Sequence, residues 1–356
     1  MHWVDVDSPL DRWDPKLGDK GIRFHYLLWL AEAEKYVRSL HAADPCDLVH
    51  HVGWGTVSVP SPFWKLGLPL VWGPLGGGQT TPPGLLGLYG RANVVERLRL
   101  LRLKMLRLSP SFQRAVQRSA IVIAANRESA QLLSVALGSN VITLPDSALR
   151  KDSYPQLCER SNLTGTLNLL WAGTLLYWKG LALGLLAMKK IGPNAGVHLS
   201  VAGDGPCRAE FESMARRLGI ENQVKFLGKV PWKEMSTEFS RADAFLFSSL
   251  HDSFGSVALE ASSHGLPIIT LDIGGCGTFM PTSAAVKIKP TTIDGTASAI
   301  AGAVLRLRDD STLRREMGAA ARSFAESLQW ENHAAMMWQI YQNALANQEA
   351  FGRGSQ

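Results

Sequence analysis

Short apolar runs alternate with amphipathic stretches along most of this chain. Five runs in the second half have the length and composition of buried strands: LNLLWAG, GVHLSVAGDG, QVKFLGKV, ADAFLFSS and LPIITLD. Stretches with apolar residues three and four apart follow most of them, for example CRAEFESMARRLGI. This regular alternation of strands and helices predicts an α/β domain built on a parallel sheet.

The first half follows the same pattern over fewer segments. CDLVHHVGWG and LPLVWGPLGGGQ each end an apolar run in a turn of small residues, and SAIVIAANRESAQLL predicts a strand followed by a helix. A chain of 356 residues exceeds what one hydrophobic core usually supports, so two domains are expected. We predict Rossmann-like domains over residues 1–148 and 167–325, a linker rich in Pro, Ser and charge over 149–166, and a C-terminal helix over 326–350.

Composition indicates a globular protein. Hydrophobic residues make up 46% and charged residues 19% of the chain. No apolar run approaches the ~20 residues that a membrane span requires, and the first residues lack the pattern of a signal peptide. The four cysteines lie far apart, without a Cys-x-x-Cys pair, which favours a reducing compartment over a disulfide framework or a zinc site. We therefore expect a cytoplasmic protein.

The net charge of +6 is concentrated in one segment. Between Arg91 and Arg118, eight basic residues stand against one acid, Glu96. Apolar residues at alternating steps of four and three predict an amphipathic helix over residues 94–112 with a basic face. The basic face is either an ordinary solvated surface or a surface that lies on anionic lipid headgroups. Nucleic acid is disfavoured because no aromatic residues interleave with the charges.

Ligands of open α/β sheets bind beyond the carboxyl ends of the strands, so the turns after each predicted strand are candidate site segments. In LLWAGTLLYWKG a strand ends at Gly173 and Lys179 stands at the next helix start, where a lysine and free N–H groups favour a diphosphate. In VAGDGPC, Gly203 and Gly205 permit a tight turn or the close approach of a ligand. A surface lysine and plain turn chemistry are the alternatives.

Two carboxylates flank the predicted helix start in HDSFGSVALEASSHG. Asp252 precedes the helix, Gly255 opens it, and Glu260 follows Asp252 after seven intervening residues. The N–H groups from Gly255 to Val257 can face a phosphate or a sugar hydroxyl, and Glu260 can accept hydrogen bonds from both hydroxyls of a ribose. Asp252 is placed to meet a hexose or its developing positive charge. A cap or turn role for Asp252 and an exposed position for Glu260 are the alternatives.

Several segments together resemble the retaining glycosyltransferases of family 4, which are group 1 glycosyltransferases with the GT-B fold. WAGTLLYWKG, VAGDGP, FLGKVPWKEM, DSFGSVALEASSHGLPII and WENHAAMMWQIY occur in the order of that family. The resemblance implies two Rossmann-like domains facing a cleft, with an acceptor domain first. It also implies transfer of a sugar from a nucleotide diphosphate sugar to an acceptor, with retention of the anomeric configuration, in polysaccharide or glycolipid assembly of the bacterial type. No metal or other cofactor is implied.

The resemblance assigns roles to individual residues. Asp252 and Glu260 hold the two positions of a family Glu-x7-Glu pair, so Asp252 would contact the donor sugar and Glu260 the ribose. Lys179 would bind the diphosphate. The first half resembles a subgroup with HHV before VWGPLGGG, in which His50 or His51 would approach the donor sugar; which of the two stays open. The other expected substrate-binding residues are Phe254, Gly255, Ser256, Val257, Gly173, Thr174, Gly203, Gly205, Val230, Gly76, Gly77 and Gly78.

Three departures from the family keep other functions open. Thr174 stands where an arginine usually holds the diphosphate, and the glutamate that usually follows the Gly-Gly of DIGGCG is absent. The family's N-terminal strand and Gly-rich loop do not precede RFHYLLWLAEAEKYVRSL, so we expect an incomplete first domain. A non-catalytic nucleotide-sugar-binding protein of the same fold and a UDP-sugar 2-epimerase are the alternatives.

The expected partners follow from the resemblance and from the charge. They are a nucleotide-sugar donor, a lipid-linked acceptor, and the inner face of a membrane, contacted peripherally through the basic helix 94–112.

Overall fold

The computed structural model describes residues 4–6, 11, 13, 21–134, 140–151, 155 and 165–353. Its first sheet has four parallel strands in the order β1-β2-β3-β4. They are β1 (Val49–His51), β2 (Leu70–Leu75), β3 (Ile121–Ala124) and β4 (Val141–Thr143). The sequence pattern predicted the first three and missed β4.

Among the described residues, four helices accompany the first sheet: α1 (Ile22–Ala43), α2 (Asn93–Leu106), α3 (Pro110–Gln117) and α4 (Arg127–Leu133). Asn126 caps α4, since its side chain accepts a hydrogen bond from the Ser129 N–H. Tyr26 and Leu30 of α1 pack with Trp72 of β2 in one apolar cluster that also takes in α3. Most residues before α1 lie outside the described part of the chain. The prediction that the first domain lacks its first strand and Gly-rich loop concerns these residues.

The second sheet has six parallel strands in the order β10-β9-β8-β5-β6-β7. They are β5 (Leu167–Ala172), β6 (Val197–Ala202), β7 (Val224–Gly228), β8 (Ala244–Phe247), β9 (Ile268–Leu271) and β10 (Ala285–Ile288). The five predicted strands are β5 to β9. Lys287 interrupts the apolar run of β10, which explains why the sequence pattern did not predict that strand.

Helices cover both faces of the second sheet. They are α5 (Leu181–Ile191), α6 (Arg208–Leu218), α7 (Trp232–Arg241), α8 (Ser256–Ser263), α9 (Gly274–Phe279), α10 (Ile293–Asp309) and α11 (Ser311–Ser327). Alternate residues of β5 point to opposite sides, so Leu169 packs with residues of α5 and α10 while Leu170 packs with residues of α8 and α11. Both faces are buried, as a parallel sheet requires.

The chain crosses between the two domains twice. Leu149 and Gln329 form a parallel bridge, and the N–H of Leu149 donates to the carbonyl of Leu328 over 2.9 Å. The final helix, α12 (Trp330–Arg353), then packs Ile340 and Ala344 against the first sheet. The predicted linker 149–166 lies largely outside the described residues.

One predicted element is wrong in its extent. The basic helix predicted over 94–112 is two helices, because α2 ends at Leu106 and α3 begins at Pro110. Proline suits the first position of a helix but disfavours helical geometry in the residue before it, here Ser109. Phe112 is buried on α3, whereas Leu98 on α2 is 61% exposed. Within the described ranges, no helix combines the length and apolar character that crossing a membrane requires.

Candidate active site

The turns after β5 and β8 enclose a pocket of 410 Å³ at the carboxyl end of the second sheet. Gly180, in the left-handed region at φ 71°, ends the turn that carries Lys179, and a side chain there would overlap the Ser248 carbonyl. The two turns are joined by a 2.7 Å hydrogen bond from the Leu250 N–H to the Trp178 carbonyl. The pocket is lined by Asp146, Ser147, Gly173, Thr174, Lys179, Asp252, Ser253, Phe254, Gly255, Ser256 and Val257.

A lysine and an aspartate meet in this pocket. Lys179 Nζ lies 2.8 Å from Asp252 Oδ1 and 2.7 Å from Oδ2. Both side chains remain partly exposed, at 25% for Lys179 and 21% for Asp252. The pair is therefore open to a ligand that could compete for either partner.

The start of α8 faces the same pocket. Gly255 precedes the helix at φ 94°, and no side chain in the described part of the chain caps the first N–H groups. Free N–H groups at a helix start favour an anion, and Ser256 and Val257 line the pocket beside Lys179. Phe254 is 1% exposed and packs with Phe279 and Phe324, so its side chain anchors the turn in the core.

Glu260 lines a second pocket, of 260 Å³, together with Trp232 and His264. Burial raises the pKa of its carboxyl group, against a hydrogen bond from Trp232 that lowers it. Trp232 is 70% exposed, which leaves its ring available to a ligand. Val230, the predicted contact nearby, is half-buried against the apolar residues below this pocket.

The predicted glycines divide into two groups. Gly173 lines the first pocket, whereas Gly203 and Gly205 lie where a Cβ would overlap the backbone of Gly173 or Leu175. Gly203 and Gly205 therefore allow two turns to pack closely, and they position Gly173 and Thr174.

The Gly-rich loop after β2 reaches the second domain. A Cβ on Gly76 would overlap the Ser253 hydroxyl, and the Asn126 amide donates to the Ser253 carbonyl over 3.2 Å. Gly77 packs against Thr56, and Gly78 against Ser129, inside the first domain. Only Gly76 of the three therefore touches a residue of the candidate pocket.

The structure does not bring either histidine to this pocket. His50 bonds to the Tyr341 hydroxyl and to the Gly73 carbonyl, each over 2.8 Å, and so ties α12 to the first sheet. His51 is 6% exposed and packs edge-on against Phe63. Burial lowers the pKa of His51 to about 4 and also lowers that of His50, so both rings are neutral at pH 7. Their catalytic role stays a prediction without support from this geometry.

Three pocket residues were missed in the sequence: Asp146, Ser147 and Ser253. Asp146 follows β4, the strand that the pattern did not show, in the segment VITLPDS. Its carboxylate is accessible from the cleft, while the cleft walls desolvate it and raise its pKa, with a further increase from the charge of Asp252. An apolar run followed by Pro-Asp-Ser is the signal that could have identified this position.

A second missed feature is an aromatic contact between the domains beside Asp252. The His251 ring stacks between Tyr89 of the first domain and Trp178 of the second, with ring centroids 6.4 and 5.5 Å away. Burial is the main cause that lowers the pKa of His251, to about 4, and the nearby Arg99 charge adds to it. A neutral, stacked imidazole thus holds the two domains together next to the candidate site.

The pocket contains the groups for binding an anion and a sugar. Throughout the ranges that the structure covers, no cluster of three His, Cys, Asp or Glu side chains is arranged to hold a metal ion. The absence of a metal requirement remains a prediction.

Known proteins resemble this chain in sequence mainly over its second half. Residues 160–324 match the family model described as "Glycosyl transferases group 1". A glycogen synthase of Mycobacterium tuberculosis is 29% identical over 180 residues, which is 50% of this chain and 43% of that protein. A D-inositol 3-phosphate glycosyltransferase of Corynebacterium glutamicum is 33% identical over 143 residues, which is 40% of this chain and 33% of that protein. The chain thus spans less than half the length of these curated relatives.

Two solved structures share the fold over most of the chain. Sucrose-phosphate synthase from Thermosynechococcus elongatus is 19% identical at a TM-score of 0.63, covering 96% of this chain and 82% of that one. The HepE protein of Anabaena, solved with UDP and glucose, is 18% identical at a TM-score of 0.59, covering 88% of this chain and 80% of that one. At such identities the likeness concerns the fold alone. The chain therefore has the two parallel-sheet domains of the GT-B glycosyltransferase fold, with sequence similarity to group 1 glycosyl transferases over residues 160–324.

Proposed function

We propose that this protein transfers a sugar from a nucleotide diphosphate sugar to an acceptor and retains the anomeric configuration. One observation carries the proposal: Lys179 and Asp252 pair beside the uncapped start of α8, within the segment that matches group 1 glycosyl transferases. A diphosphate leaving group needs a positive environment, and a lysine and a helix start supply one without a metal.

In the proposed reaction, the bond between the anomeric carbon and the diphosphate oxygen breaks. An acceptor oxygen then bonds to that carbon from the same face, and its proton passes to the leaving phosphate. Lys179 and the N–H groups from Gly255 to Val257 would stabilise the negative charge that grows on the diphosphate. Asp252 would face the positive charge that develops on the sugar ring. The diphosphate has to draw Lys179 partly away from Asp252, which leaves that carboxylate free for the sugar.

The nucleoside would occupy the neighbouring pocket. Glu260 on α8, which lines that pocket, would accept hydrogen bonds from two ribose hydroxyls, and the exposed Trp232 ring would offer a surface for the base. Two neighbours in fold were solved with UDP, the HepE protein and a pneumococcal O-GlcNAc transferase, which supports a nucleotide-sugar donor.

The acceptor is proposed to be lipid-linked, in glycolipid or polysaccharide assembly at the inner face of a membrane. The basic residues of α2 support this location.

A panel of UDP-, GDP- and ADP-sugars tests the proposal. A donor that binds only the folded state raises the melting temperature. That donor should then release nucleoside diphosphate slowly in water, and magnetic resonance should show the sugar first released in the donor's own configuration. Stabilisation without turnover would favour a non-catalytic binding protein, an alternative that Thr174 in place of the usual arginine supports. A change of configuration at carbon 2 would favour an epimerase.

A further inference from the structure

The outer face of α2 is apolar, although it has no partner among the described residues. Val94, Leu98, Leu101 and Met105 follow one another at steps of four, three and four, so they lie on one face of the helix. Their exposed fractions are 65%, 61%, 53% and 61%. Scattered exposed apolar residues are ordinary, but a contiguous stripe of large ones indicates an interaction surface.

This stripe faces directly away from the protein. Glu96 and Leu103 are the residues of α2 that the structure buries, each at 5% exposure. Leu98 and Met105 stand two residues further along, roughly 200° around the helix axis. The helix is therefore attached by one side and presents its apolar stripe on the opposite side.

The buried side is held by polar contacts as well as packing. Glu96 accepts hydrogen bonds from the Thr81 hydroxyl over 2.6 Å and from Arg99 over 2.7 and 2.8 Å. Arg99 also donates to the Gln79 carbonyl over 2.9 Å. Thr81 bonds in turn to Tyr89, which stacks on His251 beside the candidate site. The orientation of the stripe is thus fixed relative to the cleft.

The charges around the stripe decide between possible partners. Arg97 and Lys104 flank it on one side and Arg102 on the other, and all three are exposed. The acid of this helix, Glu96, is buried and paired with Arg99, so it does not offset them. An apolar stripe bordered by cations on both sides matches a bilayer with anionic headgroups, where the apolar groups enter the acyl boundary and the cations meet phosphates.

We propose that α2 is an interfacial membrane helix, which inserts Val94, Leu98, Leu101 and Met105 into the surface of an anionic bilayer while Arg97, Arg102 and Lys104 bind the headgroups. This differs from the basic face lying on headgroups that the sequence suggested, because the apolar residues enter the membrane. The inference does not rest on sugar transfer.

Vesicle sedimentation with the full chain tests the proposal. The wild type should pellet with phosphatidylcholine vesicles containing about a third phosphatidylglycerol and far less with phosphatidylcholine alone. Combined Leu98→Ser, Leu101→Ser and Met105→Ser should lower the partition coefficient at least about ten-fold, at low and at high salt. The matched control is Met336→Ser with Trp338→Ser, two exposed apolar residues of α12.

The charge contribution is tested with Arg97→Gln, Arg102→Gln and Lys104→Gln combined, which should lower binding about a hundred-fold at low salt. Arg216→Gln, Arg217→Gln and Arg315→Gln, which are also exposed, form the control with equal loss of charge. The proposal is overturned if the serine variant pellets like the wild type, or if neutral and anionic vesicles bind equally. It is also overturned if the wild type is a dimer that the serine substitutions dissociate, because the stripe would then bind a second copy.

Discussion

Lys179 and Asp252 form a two-pronged ion pair, with the ammonium 2.8 and 2.7 Å from the two carboxylate oxygens. The sequence places them 73 residues apart, on turns that follow different strands. The residue expected to bind the diphosphate is therefore bonded to the residue expected to contact the sugar. Binding of a donor is therefore an exchange of partners, and this gives each residue a measurable signature.

Replacing Asp252 with asparagine should separate binding from turnover. Lys179 loses its ionic partner, so nucleoside diphosphate should bind more tightly, whereas kcat should fall at least ~100-fold, roughly 2.7 kcal/mol of transition-state stabilisation. Calorimetry and steady-state rates with the best donor measure the two effects. Asp294→Asn is the matched control, because Asp294 pairs with Lys190 at an exposed position of α10. A variant that keeps more than half of the wild-type rate would reduce Asp252 to a turn residue.

Glu260→Ala should weaken nucleotide binding and leave the fold intact. Charge-assisted hydrogen bonds to two ribose hydroxyls contribute about 1.5–3 kcal/mol, so Kd should rise about ten- to hundred-fold. In the wild type, affinity should also fall as the pH drops through the raised pKa of Glu260, since protonation removes acceptor capacity. Glu316→Ala on α11, an exposed position, is the control. Equal affinity of Glu260→Ala and wild type in calorimetry contradicts the assignment.

Asp146→Asn should stabilise the fold at neutral pH. The folded-state pKa of Asp146 is raised above its ordinary value of 3.8, mainly because the cleft walls desolvate the carboxylate and also because of the charge of Asp252. A carboxyl group whose pKa is raised by folding contributes fully to the free energy of unfolding below its unfolded-state pKa. That contribution is lost as the pH rises through the folded-state pKa. Asparagine does not ionise, so the variant is not destabilised as the pH rises. Its melting temperature should therefore exceed that of the wild type at pH 7 and approach it near pH 4. A lower melting temperature at pH 7 would show that the charged form is favoured.

Gly76→Ala should disturb the contact between the domains. The new methyl group would overlap the Ser253 hydroxyl, so kcat/KM should fall about ten- to hundred-fold through misplacement of the pocket. Adding Ser253→Gly removes the overlap and should restore much of the loss. Gly302→Ala is the control, because nothing lies within 4 Å of its Cβ position on α10 and a better helix former should add up to ~1 kcal/mol of stability. Without recovery in the double variant, the loss has another cause.

The serine variant of α2 should separate donor chemistry from acceptor access. Leu98, Leu101 and Met105 lie on the face of α2 opposite the contacts that lead to His251. Hydrolysis of the donor in solution should therefore stay within about two-fold of wild type, while transfer to a lipid-linked acceptor in vesicles should fall about ten-fold or more. If the serine variant transfers sugar at the wild-type rate in vesicles, the acceptor reaches the cleft without help from the apolar stripe of α2.

The sequence by itself determined five of the six strands of the second sheet and the turns that carry its candidate site. Strands β5 to β9 are apolar runs ended by turn residues, and local composition suffices to find such segments. Carboxyl ends of parallel strands share one edge, so Lys179 and Asp252 could be assigned to one site from their turns alone.

Tertiary structure decided what depends on residues distant in the chain. His50 is engaged by Tyr341, 291 residues away, and nothing near His50 in the sequence indicates that partner. Asp146 reaches the pocket through β4, a strand whose three residues are ordered by pairing with β3. The 3-4 spacing on α2 is the same whether the stripe faces a core or a bilayer. Periodicity records which residues share a face, but only the packing of the other elements determines what that face meets.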